Sequence, residues 1–117
     1  MIENFGIGID ISNVEKFKNK NFDENKEFYR KIFLKNEISY CLKFKNYYER
    51  FAGKFAIKEA LMKSINEKIQ FLEIQTSHIN SKPIVKILNS NYKYKFLVSV
   101  SHDGGLAVAV VISEKIN

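Results

Sequence analysis

Phe96-Leu97-Val98-Ser99-Val100-Ser101-His102-Asp103-Gly104-Gly105-Leu106-Ala107-Val108-Ala109-Val110-Val111-Ile112-Ser113 is the stretch that decides the fold. Two apolar runs, Phe96–His102 and Leu106–Ser113, flank Asp103-Gly104-Gly105, the pattern of a tight antiparallel hairpin. Val, Ala and Leu fill both runs, as core strands require. Side chains alternate along a strand, so Val98, Val100 and His102 share one face and Ser99 and Ser101 the other. Before this hairpin, Phe71–Thr76 and Pro83–Leu88 read as two further strands joined through Ser77–Lys82. At the start of the chain, residues 4–11 form another strand, with Phe5, Ile7, Ile9 and Ile11 on one face and Gly6, Gly8 and Asp10 on the other.

The remaining sequence is helical. Ser12-Asn13-Val14-Glu15 has the form of a capping box, and a short basic helix follows through about Lys20. From Asp23 to about Asn66 the pattern stays helical, with breaks near Leu34–Asn36 and Lys43–Asn46. The last helix, from roughly Asn46 to Ser64, is dense in strong helix formers and free of proline. Consecutive helices followed by antiparallel strands predict an α+β fold, an antiparallel sheet packed against a long central helix, which the first strand is free to rejoin.

A chain of 117 residues supports one core, and 45% hydrophobic residues argue against disorder. No apolar run approaches the roughly 20 residues of a membrane span, so no membrane partner is expected. The N-terminus lacks a charged segment followed by a cleavage site, which predicts a cytoplasmic location. Cys41 is the single cysteine; it excludes an internal disulfide and reads as a helix residue without a redox role. Lys and Arg number 19 against 13 Asp and Glu, a formal charge of +6 that favours acidic partners. Lys, Asn and Ile are abundant together, a bias that nucleotide composition also produces, so charge alone does not choose the partner.

Three segments carry chemistry. Asp10 follows two glycines on its face of the strand, so a ligand or another element can approach the backbone there. It either caps the next helix, a role Ser12 already fills, or binds a cation. Glu59 lies in Phe51-Ala52-Gly53-Lys54-Phe55-Ala56-Ile57-Lys58-Glu59-Ala60. It is either a surface glutamate paired with Lys63 at i+4, worth about 0.3–0.5 kcal/mol, or a metal ligand among three lysines, Lys54, Lys58 and Lys63, that suit phosphate oxygens. His102 is either a hairpin-end histidine bonded to backbone, with Asp103 a turn residue, or part of the same site. His78 reads as solvated in a polar turn. Lys16, Lys18 and Lys20, with Lys26, Arg30 and Lys31, form either a solvated face or a dock for an acidic protein.

Together these segments resemble the holo-acyl-carrier-protein synthase family, the short group of 4′-phosphopantetheinyl transferases, over nearly the whole chain. Gly6-Ile7-Gly8-Ile9-Asp10-Ile11 is similar to the family's opening strand and Phe33-Leu34-Lys35-Asn36-Glu37 to a segment before the long helix. The Lys58-Glu59-Ala60 triplet sits in the most specific motif, and Ser81-Lys82-Pro83-Ile84 and Val98–Asp103 resemble the hairpin turn and the last motif.

The resemblance implies one transferase domain over residues 1–117 with a 4′-phosphopantetheinyl transferase-like fold. It implies Mg²⁺ on Asp10 and Glu59, and coenzyme A on Lys54, Lys58, Lys63, Ser101 and His102. Glu59, Lys63 and His102 would be catalytic, with Glu59, a metal-bound water or Asp103 as the base. It implies an acyl-carrier protein as partner, for which Lys16, Lys18 and Lys20 are the natural dock, no nucleic acid, and a homotrimer with active sites between subunits. The chain departs from the pattern where Lys54 replaces an arginine, Ile57 a small residue, and Ser64-Ile65-Asn66-Glu67 a glycine-rich turn; Leu88 to Lys95 looks short for the helix the family places there. Two other readings stand beside this one. One is a non-catalytic RNA- or nucleotide-binding module using Phe44, Tyr47, Tyr48 and Phe51 among basic residues, although no RNA-recognition motif is present. The other is the same transfer to carriers of polyketide or peptide synthesis.

Overall fold

In the computed structural model, which describes residues 2–88, 91 and 93–116, the chain runs β1 (Phe5–Asn13), α1 (Val14–Asn19), α2 (Lys26–Arg30), α3 (Lys35–Cys41) and α4 (Tyr47–Ser64). A 3₁₀ turn at Phe71–Glu73 then leads into β2 (Ile74–Ile79), β3 (Lys82–Ile87), β4 (Tyr94–Asp103) and β5 (Leu106–Lys115). The hairpin β4–β5 closes through Gly104 and Gly105, at φ 56° and 81°. Two successive left-handed residues match the twist of the flanking strands, and glycine adopts them without Cβ strain. The β2–β3 hairpin makes the same kind of turn with Asn80 and Ser81, at φ 51° and 67°. Phe71–Glu73, expected as strand, is the 3₁₀ turn instead, with the Glu73 carboxylate accepting from Gln70 N–H.

Among the described residues the strands form two antiparallel sheets, β1-β5-β4 and β2-β3. β1 does rejoin the sheet: it pairs along β5, with Gly8 opposite Val111 and Asp10 opposite Ala109. α4 lies across the inner face of this sheet and packs on β1 and β5. The contact is backbone to backbone. A Cβ added at Gly6 would fall 1.8 Å from the Ser64 carbonyl oxygen, and one at Gly8 would fall 1.9 Å from that of Ala60. Ala107, Ala109 and Val111 of β5 keep the rest of the inner face low and are fully buried there.

The N-terminal half of α4 is covered by α1, α2 and α3 through an aromatic cluster of Phe17, Tyr29, Phe33 and Phe51. The Tyr29 hydroxyl donates to the Phe17 and Lys20 carbonyls, which ties down the end of α1 and satisfies a buried phenol. Cys41 is buried at the end of α3, where burial pushes its thiol up to about 12.

Local capping differs from expectation. Asn13, not Ser12, caps α1, its side chain accepting from Glu15 N–H at 3.0 Å. Ser12 is still in the strand, and its hydroxyl is buried without a hydrogen-bond partner among the described residues. The alternation of β1 holds, but its apolar face looks outward: Ile7 is 67% exposed and Ile9 55%. The glycine face is the one turned to α4, because only that face lets the helix come close. Part of the short stretch between Leu88 and Lys95 lies outside the described residues. No helix is long and apolar enough to cross a membrane among those residues.

Candidate active site

Asp10 reaches α4 by register. Gly6 meets Ser64 and Gly8 meets Ala60, four residues earlier in the helix. Two strand residues and four helix residues advance nearly the same distance, about 6–7 Å. Asp10 therefore falls beside the preceding turn, which carries Glu59. Lys63, which points back toward the helix N-terminus as helical side chains do, closes the group. Its Nζ donates to the Ile9 carbonyl at 3.0 Å and to Asp10 Oδ1 at 3.2 Å. Lys63 thus pairs with Asp10 across 53 residues of sequence, whereas the sequence reading paired it with Glu59. The Glu59 side chain is half-buried and makes no hydrogen bond or ion pair among the described residues.

This donor set suits a small hard cation. Two carboxylates lie on facing elements, one shielded and one free of partners, and no cluster of three or more His, Cys, Asp or Glu is found among the described residues. Magnesium takes one or two carboxylates and completes its shell with phosphate oxygens and water.

The other two lysines of the helix turn away. Lys58 is fully buried, and its ammonium donates to Ile32 O, Glu37 Oε1 and Phe71 O. All three of its hydrogens are used, so the expected contact with coenzyme A is corrected: this lysine is internal. Burial pulls Lys58 below the ordinary lysine range, and the Glu37 carboxylate opposes the shift. Lys54 is buried too, donating to the Thr76 hydroxyl at 2.9 Å and lying 4.8 Å from the centre of the Tyr40 ring. Burial lowers it as well.

Sequence reading missed Glu37 and Thr76, which hold these lysines. The signal was present: Glu37 and Cys41 stand at i and i+4 on a stripe that should be apolar. His78 also differs from expectation. It sits on β2, exposed, and stacks on Tyr40 at 5.1 Å. Partial burial, then the charges of Lys54 and Arg50, lower it.

His102 lies at the other end of α4. Its Nε2 donates to the Glu49 carbonyl at 3.1 Å, and its ring covers Gly53, where a Cβ would be 3.2 Å from Cε1 and Nε2. It shares a row with Ala107 and Ser12 across the sheet, while Asp10 sits one row on, opposite Ala109. At ordinary strand spacings His102 and Asp10 are roughly 12 Å apart. Ser101 and Asp103 project from the opposite face of β4, both exposed. A single chain thus carries Asp10, Glu59 and Lys63 at one end of α4 and His102 at the other.

Phe55, Glu59 and Lys63 form one stripe of α4 at successive i+4 positions. Lys16 lies 4.1 Å from the centre of the Phe55 ring, and Lys20 5.1 Å from that of Phe28. The basic helix α1 therefore stands one helical turn from Glu59. Lys18 is exposed on another side of α1. Three of the four aromatic residues of the nucleic-acid reading serve the core instead: Phe51 is fully buried, and Tyr47 and Tyr48 pack against its cluster with their hydroxyls bonded to each other at 2.6 Å. Phe44 is half-buried, its ring covered by the Arg50 guanidinium at 4.0 Å. After α4, where a glycine-rich turn was expected, Glu67 accepts from the Tyr94 hydroxyl and from Lys115 Nζ, tying the loop to β4 and β5. The Tyr94 hydrogen bond is the main reason that Glu67 lies below the usual carboxylate range.

A profile of the 4′-phosphopantetheinyl transferase superfamily matches residues 6–111. A holo-[acyl-carrier-protein] synthase of Caldicellulosiruptor bescii is 39% identical, across 95% of this chain and 98% of its own length. The Helicobacter pylori holo-[acyl-carrier-protein] synthase, solved in complex with coenzyme A, superposes with a TM-score of 0.78 at 30% identity, covering 92% of this chain and 99% of its own. The Bacillus anthracis enzyme, solved in complex with CoA (3′,5′-ADP), gives 0.77 at 30% identity, over 95% and 96%.

Proposed function

The chain belongs to the 4′-phosphopantetheinyl transferase superfamily, and on that premise we propose that it is a holo-acyl-carrier-protein synthase. It transfers 4′-phosphopantetheine from coenzyme A to a serine of apo-acyl-carrier protein and releases adenosine 3′,5′-bisphosphate. Residues 1–117 act as one transferase domain in the cytoplasm. The observation that carries the reading is the Asp10–Lys63 ion pair at the point where β1 meets the Glu59 turn of α4.

The serine oxygen attacks the β-phosphorus of the diphosphate, and the bond to the leaving phosphate breaks. Asp10 and Glu59 would hold Mg²⁺, which supplies positive charge to the diphosphate as the leaving group forms. Lys63 is fixed by Ile9 O and Asp10, which occupy two of its three donors and leave one for a phosphate oxygen. Glu59, without a partner among the described residues, is best placed of these side chains to accept the serine proton. Lys16 stands on the Phe55 ring of that stripe and Lys20 on the Phe28 ring, and the two would receive an acidic carrier.

His102 would contribute from the other end of α4, roughly 12 Å from Asp10 at ordinary strand spacings. A homotrimer with sites between subunits would bring residues of a second copy to the site. It is supported by the outer face of the β1-β5-β4 sheet, where Phe5, Ile7, Ile9, Ile11 and Leu97 are exposed together. Soluble monomers rarely leave so large an apolar patch in water. In that assembly Ser101 and His102 of one copy would serve the coenzyme A of a site whose carboxylates come from another.

The experiment is mass spectrometry of an apo-acyl-carrier protein incubated with coenzyme A, Mg²⁺ and this protein. A gain of one phosphopantetheine, lost in Glu59→Gln while that variant stays folded, supports the assignment. No mass gain overturns the activity, and full activity in Glu59→Gln overturns the role of that carboxylate.

A further inference from the structure

Something must set the rotation of α4 about its own axis, and apolar burial does not. Buried residues occur on nearly every side of the helix, from Phe51 and Ala52 through Ala56 and Ile57 to Ala60 and Leu61. A helix without a distinct apolar stripe can turn while keeping much of its burial. The glycine contacts with β1 fix how closely and in which register the helix lies. Directional bonds are needed for the rest.

Lys58 makes them. Its ammonium holds Ile32 O at 2.8 Å, Glu37 Oε1 at 2.7 Å and Phe71 O at 3.1 Å, so the loop before α3, α3 itself and the 3₁₀ turn all grip one side of α4. Glu37 Oε1 also accepts from Leu34 N–H at 2.7 Å, and Oε2 accepts from Thr76 N–H at 2.8 Å and Thr76 Oγ1 at 2.7 Å. Thr76 Oγ1 accepts in turn from Lys54 Nζ. Ammonium, carboxylate, hydroxyl and ammonium are thereby linked in one buried network.

Lys58 and Glu59 are neighbours in sequence, about 100° apart around the helix. With Lys58 locked inward, Glu59 is carried round to the β1 side. Turning α4 by one residue would set the Glu59 carboxylate against two carbonyls and the Glu37 carboxylate, a buried like-charge contact. We propose that the Lys58–Glu37–Thr76 network is a positioning device for the transfer reaction: it holds α4 in the one rotation that presents Glu59 beside Asp10. The proposal rests on the reading of Asp10 and Glu59 as metal ligands.

The test is the double variant Glu37→Gln/Lys58→Met, which removes both buried charges together, so that neither is stranded. Folding is checked by circular dichroism, and Mn²⁺ affinity in the presence of coenzyme A is measured by electron paramagnetic resonance. The expected result is kcat lower by about 100-fold, with KM for coenzyme A little changed, and Mn²⁺ bound about tenfold more weakly. A folded double variant with wild-type kcat and Mn²⁺ affinity overturns the proposal, whatever its melting temperature. Should the double variant not fold, Thr76→Val and Thr76→Ser decide. Val keeps the shape and removes the hydroxyl link, and Ser restores it. A loss of kcat and Mn²⁺ affinity in Val that Ser recovers supports the network, and equal values in the two overturn it. Glu59→Gln, measured alongside, separates the two readings. Undiminished Mn²⁺ affinity there removes the metal site and the positioning role with it. Weakened affinity there, with an unaffected double variant, removes the positioning role alone.

Discussion

Replacing Gly8 by alanine tests the link between packing and catalysis at one atom. The added Cβ would lie 1.9 Å from the Ala60 carbonyl oxygen, 2.9 Å from its carbonyl carbon and 3.0 Å from Lys63 Cβ. Ordinary carbon–oxygen contact begins near about 3.3 Å, so the two backbones must separate by more than ~1 Å. α4 is gripped on its far side by Lys58, and β1 is an edge strand whose one strand partner among the described residues is β5. The strand therefore moves, and Asp10 moves with it, away from Glu59 and Lys63. Overpacking of this kind costs about 1–3 kcal/mol of stability. A displacement of about 1 Å at a reacting group costs on the order of 100-fold in rate, or roughly 2.7 kcal/mol of transition-state stabilisation. Urea unfolding reads the first quantity, and initial rates of holo-carrier formation by mass spectrometry read the second. Gly104→Ala is the control. It sits at φ 56° with nothing within 4 Å of a new Cβ, so it should lose about 1 kcal/mol to left-handed strain and leave kcat untouched. A Gly8→Ala protein whose rate and urea midpoint match the wild type would refute the reasoning. So would equal rate losses in the two variants.

Three other expectations concern different surfaces. Lys16→Glu combined with Lys18→Glu should raise KM for the carrier about tenfold at low salt and leave coenzyme A affinity alone; carrier kinetics that do not change would remove the docking face. Ile7→Arg places a charge at the centre of the exposed sheet face, opposite Ile112, and should give folded monomers in sedimentation with little activity; an unchanged assembly mass would show that this face is not the interface. Stability should also fall in alkali. The Cys41 thiol is raised by burial from 9.0 to about 12, so between those values the unfolded chain has lost a proton that the folded chain keeps. Stability from this group is fully present below about pH 9 and declines by roughly 1.4 kcal/mol per pH unit above it. Urea midpoints measured from pH 8.5 to roughly pH 11 should fall less steeply in Cys41→Ala, and parallel slopes would discount the thiol.

Much of the architecture is visible along the chain because it follows local rules. Gly104-Gly105 between two apolar runs names its own turn. The proline-free run to Ser64 makes one long helix. The glycines before Asp10 mark a close approach, and α4 supplies it. Cap details went astray where two polar residues compete for one position: Asn13 took the place given to Ser12 because the strand extends two residues further than its alternation suggested.

The lysines of α4 show where such reading stops. Lys54, Lys58 and Lys63 are alike as residue types and lie at helical spacing, so composition treats them as one cationic cluster. The fold separates them, two inward to Glu37 and Thr76 and one outward to Asp10. Which way each points depends on partners 22, 21 and 53 residues distant, and no local pattern encodes such pairings. Likewise, alternation in β1 showed two faces but not which of them looks to water. That depends on where a helix can pack at backbone contact, and on what covers the isoleucines left outside. Spacing and turn chemistry act between neighbours and can be read from order alone; buried charge pairing and face selection arise only when distant segments compete for the same space.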